Sequence, residues 1–162
     1  MDLAISKFAM VFIGILIATV AVSIPFLKSL DTIENKIEIK IRDQFIVSEL
    51  AKNALTRSRG LSGRQKIGIN EGMLFEFSAP GRYSFWMRNM KFPIDIIWID
   101  ENKKIIGITE NIDPQIGVSA IDLKAYYPPE SIKWALELKA GRAKILRAEN
   151  GDSVQISPFV KK

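Results

Sequence analysis

Two carboxylates interrupt apolar runs in this chain. Asp95 lies inside Ile94–Ile99 and Glu137 inside Ile132–Leu138. A carboxylate among isoleucines must be paired or hydrogen-bonded, because an unpaired buried charge is costly. Arg57, Arg64 and Arg88 are the available counter-charges. As an enzyme, the chain would use Asp95 and Glu137 as acid and base, the arrangement of hydrolases that cleave glycans. As a binding module, it would use Trp86, Tyr126, Tyr127 and Trp134 as apolar platforms beside Arg88, Asn89 and Asp95. Buried polar groups are more often satisfied structural groups than reactive ones. Structural roles for Asp95 and Glu137 therefore outweigh catalysis, Trp134 reads as core, and no residue is assigned as catalytic.

Composition narrows the chemistry further. The chain has no histidine and no cysteine. That removes Ser-His-Asp arrangements, thiolate nucleophiles, sulfur-ligated metals and most zinc sites. The sequence contains no phosphate loop, dinucleotide fingerprint, nucleophile elbow or EF-hand loop. No metal or cofactor is expected. The formal net charge is +5. Leaving out Asp2, Lys7 and Lys28 removes one positive charge and leaves a mild excess on the rest. That is no footprint of a specific nucleic-acid binder, and an anionic membrane surface suits it equally well.

The candidate residues must be held by strands. Phe85–Met87 is a short aromatic run with strand character. Pro93 donates nothing to a ladder, so it fits just before a new strand. In Ile94–Ile99, Ile94, Ile96 and Trp98 point one way, and Asp95, Ile97 and Ile99 the other. Both faces are apolar, as in a strand buried on both sides. Lys36–Ile41 alternates cleanly and Met73–Phe77 is apolar. Ala79–Arg82 reads as a turn and Asp100–Lys103 as a hairpin loop, with Lys104–Thr109 pairing back. Asn111–Pro129 reads as a long surface loop. Phe45–Ala51 is ambiguous, and Val47, Leu50, Ala51, Ala54 and Leu55 would also suit one helix face.

Residues 8–27 carry no charge and are flanked by Lys7 and Lys28. About 20 apolar residues at 1.5 Å each span a bilayer. The segment has no polar face, unlike a core helix. An uncleaved single-pass anchor is the favoured reading. A signal cleaved at Ala21-Val22-Ser23 is the second reading, and Pro25 follows that site closely. Long domains translocate largely regardless of charge, which places the following domain outside the cytoplasm, at the cell membrane. The expected organisation is an anchor over residues 1–30, a linker over 31–35 and one domain over 36–162.

Several motifs occur in order: Arg57 with Gly60-Leu61 and Arg64, Gly72-Met73-Leu74-Phe75, Phe85-Trp86-Met87-Arg88-Asn89, Pro93-Ile94-Asp95-Ile96, Leu136-Glu137-Leu138 with Ala140-Gly141, and Gly151-Asp152. Together they resemble the DUF192 family of small bacterial and archaeal domains of unknown function. The resemblance covers residues 36–156. It implies a compact, mainly β domain of jelly-roll or barrel type with one or two short helices, which the many short strands also indicate. It implies that Phe45–Ala51 is a strand, that Asn53 caps a short helix ending at Arg59, and that Ile132–Leu138 is a strand. Arg57 and Arg64 fall on family positions. Arg59 and Lys66 do not, and they read as a solvated basic face. The family's threonine after Asn89 is replaced by Met90, which trades a hydroxyl for apolar surface. The reading that results is a membrane-anchored binding or accessory module. Its site residues would be Arg57, Arg64, Trp86, Arg88, Asn89, Asp95 and Glu137. Its partners would be a small molecule or glycan, and a membrane protein held at the bilayer.

Overall fold

The computed structural model describes residues 35–160. The apolar segment 8–27, and with it the expected anchor and most of the linker, lies outside the described residues. Among the described residues no helix is long and apolar enough to cross a membrane.

Nine strands and two short helices make up the domain. In chain order they are β1 (Lys36–Ile41), β2 (Gln44–Ala51), α1 (Ala54–Arg59), β3 (Glu71–Gly81), β4 (Phe85–Trp86), β5 (Ile94–Ile99), β6 (Ile105–Ile112), β7 (Ala125–Tyr126), β8 (Ile132–Lys139), α2 (Arg142–Leu146) and β9 (Val154–Pro158). Seven strands form one sheet in the order β6-β5-β8-β3-β2-β1-β9, and β4 pairs with β7 in a separate ribbon. All sheet pairings are antiparallel except β2 with β3. The β2–β3 connection carries α1, as a parallel pair requires a crossover.

The fold is mainly β with two short helices, but the sheet is open. Its edge strands approach each other at a single bridge, Lys104 with Ser153, and no closed barrel ladder forms. Nor are there two packed sheets of jelly-roll kind. One sheet instead carries a core on each face. Ile39, Ile46, Leu74, Ile97, Leu136 and Leu138 fill one face under α2. Met73, Phe75, Phe77, Ile96, Trp98 and Ala135 fill the other, together with Phe85 from β4. That is why β5 is buried at all six positions. Trp98 keeps its indole N–H satisfied by donating to Thr109 Oγ1 at 2.9 Å, as a buried indole must.

Local sequence explains most of the boundaries. Phe45–Ala51 is strand, not helix, because Ile46 and Ala51 are needed in the two cores. Asn53 then starts α1 with a capping box: its side chain accepts from Thr56 N at 2.8 Å, and Thr56 Oγ1 accepts from Asn53 N. Gly60 ends the helix at φ 50°, a left-handed value that favours glycine.

Two further expectations are corrected. Ala79–Gly81 continues β3 and is no turn. Pro80 is tolerated there because the register with β8 already shifts between Glu76 and Gly81, so no ladder donor is lost. The 111–129 segment is also less loop-like than expected. Asn111 and Ile112 belong to β6, and Ala125–Tyr126 forms β7 against Phe85–Trp86.

Candidate functional site

Strand pairing decides where the two carboxylates go. In the β5–β8 ladder Asp95 is opposite Leu138, and Glu137 is opposite Ile96. Side chains alternate along each strand, so Asp95 and Glu137 project from opposite faces of the sheet. They cannot flank one scissile bond. This geometry removes the paired-carboxylate hydrolase arrangement.

Asp95 is fully buried on the α2 face. Its Oδ1 accepts from Asn111 N at 2.9 Å and its Oδ2 from Ala143 N at 3.0 Å. The residue at the N-cap of α2 is Gly141, which has no side chain to offer. Asp95 therefore caps α2 from a neighbouring strand, and it pins the end of β6 with its other oxygen. Both amides would otherwise be orphaned. No arginine is involved.

Glu137 is in the reverse situation. It is 6 % exposed, and its Oε2 is buried with no hydrogen-bond partner among the described residues. Burial pushes its carboxyl up to about 8, and the nearby Arg64 guanidinium opposes this only in part. At neutral pH the group is therefore mostly a neutral acid, able to donate one hydrogen bond. Arg64 is held elsewhere. It makes a bidentate pair with Glu49, with both contacts at 2.6 Å. That pairing holds Glu49 below the usual carboxylate range and raises Arg64.

Glu137 lines a cavity of about 280 Å³. Phe75 and Phe77 of β3 and Phe85 of β4 line it too, with Leu61 and Met90. Phe75 and Phe85 meet edge to face, with ring centroids 5.0 Å apart. The same cavity is lined by Trp86, Arg57, Arg59 and Arg88, and by Ser58, Ser62 and Ser84. Arg57 is fixed: its Nη1 donates to the carbonyls of Lys52 at 2.7 Å and Glu76 at 3.0 Å, and its guanidinium sits 5.3 Å over the Phe77 ring. The result is an apolar cleft over one unpartnered acid, with cations among its lining. Such a cleft suits a small ligand with a flat apolar body.

Of the residues expected at a site, the structure brings Arg57, Trp86, Arg88 and Glu137 to this cavity. Arg64 lines a separate, smaller pocket with Glu49, and Asn89 lines a neighbouring cavity with Lys91 and Ile116. Asp95 is on the other face. Tyr126 packs against the core from β7, Tyr127 is exposed, and Trp134 packs on the α2 side. Sequence reasoning missed Phe75, Phe77 and Phe85 as cavity walls; Arg59, read as part of a solvated face, is exposed and also lines the cavity. The one available signal was Met90: an apolar residue replacing a hydroxyl next to the aromatic run marks added apolar surface, and Met90 is buried in the cavity wall.

An open, mainly β sheet with two short helices is the class of fold that the described residues define. The chain belongs to the DUF192 family, described as uncharacterised, whose profile matches residues 36–156. No curated protein matches it. Two crystal structures are similar. A Sinorhizobium meliloti protein, provisionally labelled a transcription regulator, is 27 % identical with a TM-score of 0.68, covering 76 % of this chain and 95 % of that one. A protein of unknown function from Novosphingobium aromaticivorans is 29 % identical with a TM-score of 0.64, covering 74 % and 83 %.

Proposed function

We propose that the domain is a binding module, not an enzyme, and that its ligand is a small organic anion with a flat apolar body. The observation that carries this is Glu137, a buried acid with an unpartnered oxygen at an aromatic cavity. Leaving such a group unpaired costs about 1–3 kcal/mol, which a ligand accepting its proton in a hydrogen bond would recover. Arg59 and Arg88 supply the attraction for the anionic end. A transcription role, as labelled for the Sinorhizobium protein, finds less support here. Both helices are too short to fill a major groove.

Benzoate and glucose separate an aromatic anion from a neutral sugar. Saturation-transfer NMR on residues 35–162 should show contact to benzoate and none to glucose. Ser84→Trp, which fills the cavity from its exposed lining, should abolish the benzoate signal. Absence of any benzoate contact, or an unchanged signal in Ser84→Trp, would overturn the reading.

The charge-free segment 8–27 supports a single-pass anchor, with the domain held outside the cytoplasm, where it could also serve a membrane-protein partner. The full chain should then stay with membranes through carbonate extraction, and protease added to intact cells should digest the domain. Release by carbonate, or a mature protein starting near Ile24, would replace the anchor with a peripheral or secreted form.

A further inference from the structure

Three of the four most exposed apolar side chains among the described residues flank two cavities in the chain, while the fourth, Val160, follows β9. Leu55 on α1 is 78 % exposed, Ile116 82 % and Ile121 91 %. Leu55 adjoins Ala54, which lines the Glu137 cavity, and Ile116 lines the neighbouring one. The two cavities share Arg88 and Met90, so these elements border one continuous region. Trp86, half exposed, stands in the same region.

The charge of that region is one-sided. The combined lining of the two cavities contains Arg57, Arg59, Arg88 and Lys91, and its only carboxylate is the buried Glu137. Lys124 adds a cation beyond it, 4.9 Å over the Tyr126 ring. Asp113 and Asp122 belong to the same 113–124 segment but line neither cavity.

We propose that this face docks on an anionic lipid bilayer, with Leu55, Ile116 and Ile121 entering the headgroup–acyl boundary and the basic side chains lying among the headgroups. The arrangement of the apolar residues favours a bilayer over a protein partner. They project from separate elements, a helix and a long connection, and do not line one groove complementary to a strand or helix. A fluid apolar layer accepts separated protrusions without any matching shape. Basic residues are attracted to an anionic surface, and tryptophan is favoured at the interface. This contact is independent of segment 8–27, and of whether a small ligand occupies the cavity.

The test uses residues 35–162, which lack the apolar segment and contain the part that covers 95 % of the crystallised Sinorhizobium chain. Cosedimentation with vesicles of equal phosphatidylglycerol and phosphatidylcholine should pull the domain down. Pure phosphatidylcholine should retain at least tenfold less, and raising the salt from 0.05 to 0.5 M, which shortens the screening length, should release most of the bound protein. The triple variant Leu55→Ser, Ile116→Ser and Ile121→Ser should lose tenfold or more in partitioning at every salt concentration. Its urea midpoint should match the parent, since all three side chains are exposed. The proposal is overturned if the parent stays in the supernatant with anionic vesicles, or if the triple variant sediments as the parent does. It is equally overturned if the parent binds a 20-nucleotide RNA while ignoring the vesicles, which would assign the basic face to nucleic acid.

Discussion

Glu137→Gln should make the domain more stable than the parent above pH 8 and nearly equal to it at pH 5. The sign follows from linkage. The folded-state value is raised from 4.5 to about 8, so between those limits the native state binds more protons than the unfolded chain. Stability then falls as pH rises through this window, because the unfolded chain's carboxyl ionises freely while the buried acid keeps its proton. A full shift of this size corresponds to an upper limit of about 4–5 kcal/mol at 1.36 kcal/mol per unit, and relaxation and water entry reduce it to ~2–4 kcal/mol. Gln has the same shape and no charge to lose, so its curve should be flat across the window. The other shifted carboxylates do not confuse the reading. Glu49 and Asp152 are held low by Arg64 and Arg42, so they act on the acid side. Urea unfolding at pH 5, 7 and 9 is the measurement. Parallel pH profiles for parent and variant would mean that Glu137 is ionised in the folded domain at neutral pH.

Asp95→Asn should lower stability at all three pH values by ~2–4 kcal/mol. The parent carboxylate accepts two amides, from Asn111 and from Ala143. Asn presents one oxygen and one NH2, so one amide keeps a weakened neutral bond and the other faces a donor. Hydrogen bonds to charged groups contribute about 1.5–3 kcal/mol, and an orphaned buried donor costs about 1–3 kcal/mol. Benzoate contact should be unchanged, since the Glu137 cavity is across the sheet. This readout separates a structural carboxylate from a site residue. A midpoint within about 0.5 kcal/mol of the parent would show that neither amide depends on Asp95.

Much of this could be read along the strands and little of it across them. Alternation placed Ile94, Ile96 and Trp98 opposite Asp95, Ile97 and Ile99, and the two cores agree. Both carboxylates stood out because each breaks an apolar run. Whether they meet is a matter of register, Asp95 with Leu138 and Glu137 with Ile96, which no local pattern encodes. The parallel β2–β3 pairing is equally long-range, and with it the open sheet in place of a barrel. Phe75 and Phe77 looked like any strand core. Only the tertiary placement of β4 and α1 leaves a gap above them, and a cavity wall has the same composition as a packed core. Arg57 and Arg64 looked alike in sequence, yet one lines the cavity while the other is paired with Glu49.

In the proposed binding role, Glu137 is a protonated acid that offers its unpartnered oxygen to a ligand in the aromatic cavity. The most direct measurement is a titration of its side-chain carboxyl by 13C NMR, assigned with Glu137→Gln, in the free domain and with saturating benzoate. The expected midpoint is near 8 in the free domain and rises further with benzoate, because an anion beside the group favours its neutral form. A midpoint in the ordinary range of 4 to 5, unmoved by benzoate, would contradict it.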